Sequence, residues 1–135
     1  MAEHPGVTQL QAGFEAFTTG NMHALSELFA DDIVWVVPGK NPLSGTYKGK
    51  IELFGFFGNF IRESRGTWRN ELRDVLANDR HSVALIHATA KRNDKTIDQN
   101  GVAVFDVNDR GKIIRAVFLW EDQAAVDDFY VGELA

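Results

Sequence analysis

The sequence predicts an α+β domain with a cone-shaped, curved antiparallel sheet packed on three helices of its N-terminal half. Three observations carry this. Helical periodicity is concentrated in the first half. Four strand-like segments follow one another in the second half, joined by turns too short for crossover helices. The aromatic pool of ten Phe, three Trp and two Tyr exceeds what a 135-residue core needs. Helices laid against one curved sheet make a cone, and a cone has an open end.

In chain order, Leu10, Phe14 and Phe17 recur at helical spacing, and Gly20-Asn21 breaks the run. Leu25, Leu28 and Phe29 form the apolar face of a short second helix that Asp31-Asp32 ends. Ile33-Val34-Trp35-Val36-Val37 is a β-branched run and reads as a buried strand. A Pro/Gly-rich loop follows at 38–42, then a short strand or turn at 44–49. Residues 51–64 form a third helix whose Phe and Leu side chains cover more than one stripe, so it faces a core on one side and a second apolar surface on another. Strands are expected over Thr67–Ala77, Ser82–Lys91, Thr96–Val107 and Lys112–Glu121. Asn78-Asp79, Asn93-Asp94 and Asn108-Asp109-Arg110-Gly111 mark the hairpins between them. A last helical turn falls in 123–131. Without a linker or repeat, residues 1–135 read as a single domain.

Composition narrows the function classes. A chain of this length buries roughly 68% of its unfolded surface, so no staple is required. The sequence has no Cys, which removes disulfides, thiolate metal sites and thiol nucleophiles. Net charge is −5 and the fourteen Lys and Arg are scattered, so no basic stripe offers itself to nucleic acid. No apolar run reaches membrane-spanning length. The opening Met1-Ala2-Glu3-His4-Pro5-Gly6 lacks the basic and apolar stretches of a secretory signal, and cytoplasmic residence is expected. The expected partner is a small apolar or weakly polar molecule.

Strand alternation sends every second side chain to one face. Leu28-Phe29-Ala30-Asp31-Asp32 before a strand, Pro42-Leu43-Ser44-Gly45-Thr46-Tyr47-Lys48-Gly49, Gly111-Lys112-Ile113, and Trp120-Glu121-Asp122-Gln123-Ala124-Ala125 running into Phe129 together resemble the SnoaL-like branch of the NTF2-like superfamily. The resemblance spans nearly the whole chain. It implies a cone with a deep pocket and a homodimer through the outer sheet face. It does not imply one chemistry, because the superfamily hosts isomerases, cyclases, epoxide hydrolases, transport factors and non-catalytic subunits. Aligned on the shared landmarks, the three functional positions of ketosteroid isomerases fall on Gly13, Val37 and Ala103. None of these moves a proton or donates a side-chain hydrogen bond, so that activity is not expected.

The same landmarks suggest that Ile33, Trp35 and Val37 of the first strand point inward. So would Leu85, His87 and Thr89, then Gln99, Gly101, Ala103 and Phe105, and on the last strand Ala116, Phe118, Trp120 and Asp122. Trp35, Phe54, Phe57, Phe105, Phe118 and Trp120 are the expected apolar wall, with Val37 and Ala103 among them. Gln99 has two readings: an amide donor to a ligand oxygen, or a backbone partner at a bulge near Gly101. By resemblance to the polyketide cyclases of this branch, the Trp120-x-Asp122 ending makes Asp122 the candidate acid/base. A carboxylate desolvated against Trp120 and Phe118 would have a raised pKa suited to proton transfer. Asp122 equally fits a helix N-cap before Gln123-Ala124-Ala125. His87, the only histidine inside a strand, is the candidate proton shuttle or carbonyl-orienting group. Asp31-Asp32 reads as structural. No His/carboxylate spacing suits a metal, and no cofactor is expected. Three functions stay open: a cofactor-free isomerase, cyclase or hydratase acting on an apolar carbonyl compound, a non-catalytic binder, and a dimerisation module.

Overall fold

Each helix begins and ends on chemistry legible in the sequence. In the computed structural model, which describes residues 3–132, His4 caps α1 (Pro5–Thr19): its Nδ1 accepts from the Gly6 N–H at 3.0 Å, and Pro5 sits at the first helical position. Gly20 ends α1 in the left-handed region at φ 75°. Asn21 Oδ1 then accepts from the Ala24 N–H and opens α2 (Met22–Glu27). The remaining helices are α3 (Gly49–Glu63) and α4 (Gln123–Phe129). Residues 1–2, which open the segment read above as lacking a signal, lie outside the described residues, as do 133–135. Among the described residues no helix is long and apolar enough to cross a membrane.

The sheet has six strands: β1 (Phe29–Val37), β2 (Gly45–Lys48), β3 (Arg69–Ala77), β4 (His81–Arg92), β5 (Lys95–Val107) and β6 (Ile113–Trp120). Their order is β2-β1-β6-β5-β4-β3. The expected antiparallel meander β3–β6 is present, but the sheet as a whole is mixed, because β1 runs parallel to β6. α3 and the meander intervene between those two strands, and a connection that long allows the parallel pairing a hairpin forbids. A second correction concerns Phe29. It starts β1 rather than closing α2, and Asp31-Asp32 lie within the strand at a register shift between Phe29 and Val34. The Ile113 N–H, donating to the Leu28 carbonyl at 2.9 Å, pulls the chain out of the helix there.

The helices cover one face of the sheet. Leu10, Leu25, Leu53, Phe56 and Phe57 pack onto Ile33, Trp35, Ile86, Phe105 and Ile113. At the far edge the core holds a cation. Arg92 is 1% exposed, and its Nη1 donates to the carbonyls of Phe129 at 3.2 Å and Val131 at 2.9 Å. Its Nη2 donates to Gly132 O and lies 3.6 Å from Glu63 Oε1. These carbonyls belong to the C-terminal end of α4 and the residues beyond it, the groups a helix leaves unpaired. Arg92 therefore ties the last helix to the sheet.

Candidate functional site

Between the concave face of the sheet and the helices lies a cavity of about 440 Å³, within the usual size range of small-molecule sites. Its wall is built from Phe14 and Phe17 of α1, Phe56, Phe57 and Phe60 of α3, and sheet residues that alternation turns inward. Trp35 is the hinge of that wall, with ring centroids 5.3 Å from Phe57, 5.5 Å from Phe118 and 6.3 Å from Phe105. Trp120 also lines the cavity, and the sequence makes room for it with Gly101. A Cβ on that glycine would stand 2.4 Å from the Trp120 ring.

Polar groups gather on two sides of the cavity, four strands apart at the same end of the sheet. Near α4, Asn41 Nδ2 and Gln123 Nε2 both donate to Asp127 Oδ1, at 2.7 and 3.1 Å. Burial pushes the Asp127 carboxyl up, but donation from Asn41, the Lys40 backbone N–H and Gln123, with the nearby Lys40 charge, outweighs it and holds the group below its ordinary value. Gly39 permits this contact: its φ is +95°, and a Cβ would lie 2.3 Å from Asp127 Oδ1 and from Gln123 Nε2. On the β3 side the fully buried Ser64 Oγ and the Tyr130 hydroxyl are 2.7 Å apart. Burial raises the Tyr130 pKa far above the usual phenol range, so its proton stays in place. Beside them Trp68 Nε1 donates to Asn70 Oδ1 at 2.8 Å.

Of the residues singled out from the sequence, Trp35, Val37, Phe57, Phe105, Phe118 and Trp120 line this cavity. Phe54, Ala103, Gln99, His87 and Asp122 do not. Phe54 packs behind the wall, 5.4 Å from Phe57 and 6.4 Å from Phe29 between ring centroids. Ala103 is fully buried. Of the two readings of Gln99, the structure gives the backbone partner, but at the start of α4 rather than at a bulge near Gly101. Its Nε2 donates to Asp122 O at 3.1 Å and its Oε1 accepts from Asp122 N–H at 2.9 Å, clamping β5 to the start of α4. Asp122 is exposed, and its Oδ1 accepts from the Ala125 N–H at 3.0 Å, the geometry of an N-cap. Of Tyr47, the hydroxyl donates to Leu43 O at 2.7 Å and anchors the loop before β2.

The face assignment of β4 needs correction by one residue. Ser82, Ala84, Ile86, Ala88, Ala90 and Arg92 are buried, whereas Leu85, His87 and Thr89 point to the outer face. His87 opposes Asn100 and Glu71 across its neighbours, not the cavity. The error is one of phase: Leu85 looks as eligible for burial as Ile86, and only the pairing decides between them. On that face His87 Nδ1 lies 2.6 Å from Asn100 Oδ1, and Nε2 lies 2.6 Å from Asp98 Oδ1. Both partners are acceptors, so the doubly protonated ring satisfies both at once. The Asn100 bond first, then the Asp98 bond and charge, raise the His87 pKa against partial desolvation and Arg73. Because the folded value is the higher one, the stabilisation from this cluster is complete below the ordinary histidine value of about 6.5 and is lost as pH rises through the raised value. An NMR titration of the His87 ring protons should give a midpoint above the ordinary histidine value, and Asp98→Asn should lower it. A midpoint at the ordinary value would show that the cluster does not form.

Reading the sequence missed Arg69, Asn70, Ser64, Gln123 and Tyr130 on the cavity wall. Alternation from Trp68 along β3 would have found Asn70 had that strand's phase been known. Ser64, Gln123 and Tyr130 lie at helix ends, where no periodicity points inward, and Arg69 opens β3 on the exposed phase opposite to Trp68 and Asn70.

Comparison with known proteins agrees with this architecture. A family model described as the SnoaL-like domain matches residues 10–116. The chain belongs to the SnoaL-like domain family. An uncharacterized protein of Mycobacterium tuberculosis is 30% identical over 131 residues, covering 96% of this chain and 99% of its own. Bal32a, from a soil-derived mobile gene cassette, superimposes with a TM-score of 0.85 at 31% identity over 91% of this chain and 94% of its own. TerC, co-crystallized with polyporic acid, superimposes with a TM-score of 0.83 at 19% identity over 96% and 100% of the two chains, a likeness of fold.

Proposed function

We propose that this SnoaL-like protein binds one small, predominantly apolar molecule in the cavity between helices and sheet, and that it does so without transforming it. One observation carries the reading: among the described residues that line the cavity there is no carboxylate and no imidazole. General acid–base catalysis needs a group that exchanges protons near neutral pH within hydrogen-bond reach of the substrate. The lining Tyr130 hydroxyl, its pKa raised by burial, holds its proton instead. The two groups best suited to proton transfer by type, Asp122 and His87, are engaged as a helix cap and in an outer-face cluster. What the wall offers is aromatic surface for contact and a few fixed hydrogen-bonding groups for orientation. TerC, with the same fold, has been co-crystallized with polyporic acid, a small molecule. Cytoplasmic residence and a site that needs neither metal nor organic cofactor belong to the same reading.

The test is incubation of the purified protein with a library of hydrophobic compounds, followed by native mass spectrometry and analysis of the released ligand. The expected result is a one-to-one complex whose ligand is recovered chemically unchanged after prolonged incubation. Accumulation of a product mass with active protein, absent from a heat-denatured control, would refute the binder reading and restore the enzymatic one.

A homodimer through the outer sheet face is part of this proposal. Pairing aligns Leu76, Val83, Val104, Val117 and Val36 in one row across five strands, and Leu85, Val102 and Leu119 in a second. Leu76, Leu85 and Leu119 are 56%, 38% and 49% exposed. Such a stripe on a single chain is what a self-complementary interface would cover. Light scattering is expected to give about twice the 15.1 kDa chain mass, and Leu119→Glu is expected to give the monomer at unchanged far-UV circular dichroism. A wild-type monomer at tens of micromolar would remove the interface from the proposal.

A further inference from the structure

The charges around the cavity are one-sided. Arg69 is the only charged residue among the described residues that line it. In a chain of net charge −5, with nineteen acidic residues to fourteen basic, an opening with a cation and no acid is the less expected composition. The neighbouring cations are engaged: Arg62 lies 3.4 Å from Glu63, Arg73 lies 3.2 Å from Glu71, and Arg92 lies 3.6 Å from Glu63. No ion pair among the described residues includes Arg69. Its one hydrogen bond, from Nη1 to the Gly66 carbonyl at 3.4 Å, places the guanidinium beside a turn that itself lines the cavity and leaves the rest of its N–H fork open.

The next residue adds donors of its own. The Trp68 indole N–H only donates, so its 2.8 Å bond to Asn70 requires the amide oxygen on that side. The Asn70 amide nitrogen, with two N–H groups, is thereby left on the other. The side of the cavity at the start of α4 is arranged the other way. Asn41 and Gln123 turn their amide N–H groups onto Asp127, whose carboxylate stands behind them and opposes a second anion. The cavity thus has an apolar body, a donor-rich side at β3, and a side at the start of α4 backed by negative charge.

We infer that the ligand is an amphipathic acid: an aromatic or alicyclic body bearing one carboxylate, bound with the carboxylate toward Arg69 and Asn70. This rests on the binding role proposed above and specifies the ligand class for that same cavity. Arg is suited to the task because its planar fork matches the two oxygens of a carboxylate.

Three naphthalene probes of matched size separate the possibilities: 2-naphthoate, 2-naphthalenemethanol and 2-naphthylmethylammonium. Binding is read by calorimetry and by quenching of the tryptophans on the wall. The naphthoate is expected to bind about tenfold tighter than the alcohol at low salt, with the ammonium weakest. Raising NaCl to about 0.5 M should narrow that gap, because the site is partly open to solvent. Arg69→Met is expected to weaken the naphthoate about five- to tenfold and leave the alcohol within about twofold. Asn70→Asp keeps the size of the side chain and its oxygen for Trp68, and replaces the donors with a charge that repels the naphthoate, so it should act in the same direction. Equal affinity for naphthoate and alcohol, unmoved by either substitution, would overturn the inference while leaving the binding role intact. Failure of all three probes to bind would overturn both.

Discussion

Arg92→Met is expected to lower the stability of the protein by about 3–5 kcal/mol, the cost of removing one partner from a buried ionic arrangement. The guanidinium is 1% exposed and answers three carbonyls, those of Phe129, Val131 and Gly132, as well as Glu63. Methionine fills much of the volume but donates nothing, so buried carbonyls at the end of α4 lose their partners. Glu63 contributes the smaller part, because it is 25% exposed and keeps Arg62. Urea unfolding followed by circular dichroism should show the midpoint falling by about 1–3 M at an ordinary slope. Arg92→Lys should lie between the two, since it retains the charge without the fork. A midpoint unchanged by Arg92→Met would mean that the C-terminal segment is held by something other than this residue.

Trp35→Ala is the second large effect, expected at about 3–5 kcal/mol by the usual cost of truncating a buried aromatic. The ring is 7% exposed and meets four others, with centroids 5.3 Å away at Phe57, 5.5 Å at Phe118, 5.7 Å at Phe29 and 6.3 Å at Phe105. The edge-to-face contacts with Phe29, Phe57 and Phe105 contribute beyond the area buried. Because Trp35 itself lines the cavity, its loss merges new empty volume with space already present, and the surroundings have little reason to collapse into it. Trp35→Phe should recover more than half of the loss. A Trp35→Ala variant within about 1 kcal/mol of wild type would show that the wall is loosely packed, well below the expected range.

The two residues differ in how visible they were beforehand. Trp35 stands in a β-branched run between two Val, and its burial follows from the run itself. Arg92 sits at the end of a strand beside an Asn-Asp turn, where solvent exposure is the ordinary outcome for an arginine. Only the arrival of α4 against the strand end, with its unpaired carbonyls, gives the side chain a reason to be inside.

The same division runs through the candidate site. The order of helices and strands, the turns between them, and the aromatic surplus that lines the cavity are properties of local sequence. Each depends on spacing within about ten residues, whereas the inward face of each strand was taken from the family resemblance, which placed Trp35, Val37, Phe105, Phe118 and Trp120 on the cavity. Which face of β4 turns inward is not local: Leu85 and Ile86 are equally apolar, and the choice between them depends on which side the helices cover. That single choice moves His87 from a presumed proton shuttle to an outer-face cluster with Asn100 and Asp98. Asp122 shows the complementary case, in which the sequence offered two roles for one carboxylate and the start of α4 took it as a cap. By itself, then, the sequence determined an α+β cone with an aromatic interior. The tertiary structure alone decided which charged group stands at that interior, Arg69 among the described lining residues, because the sign and position of charge in a cavity depend on strand phase and on how helix ends meet the sheet.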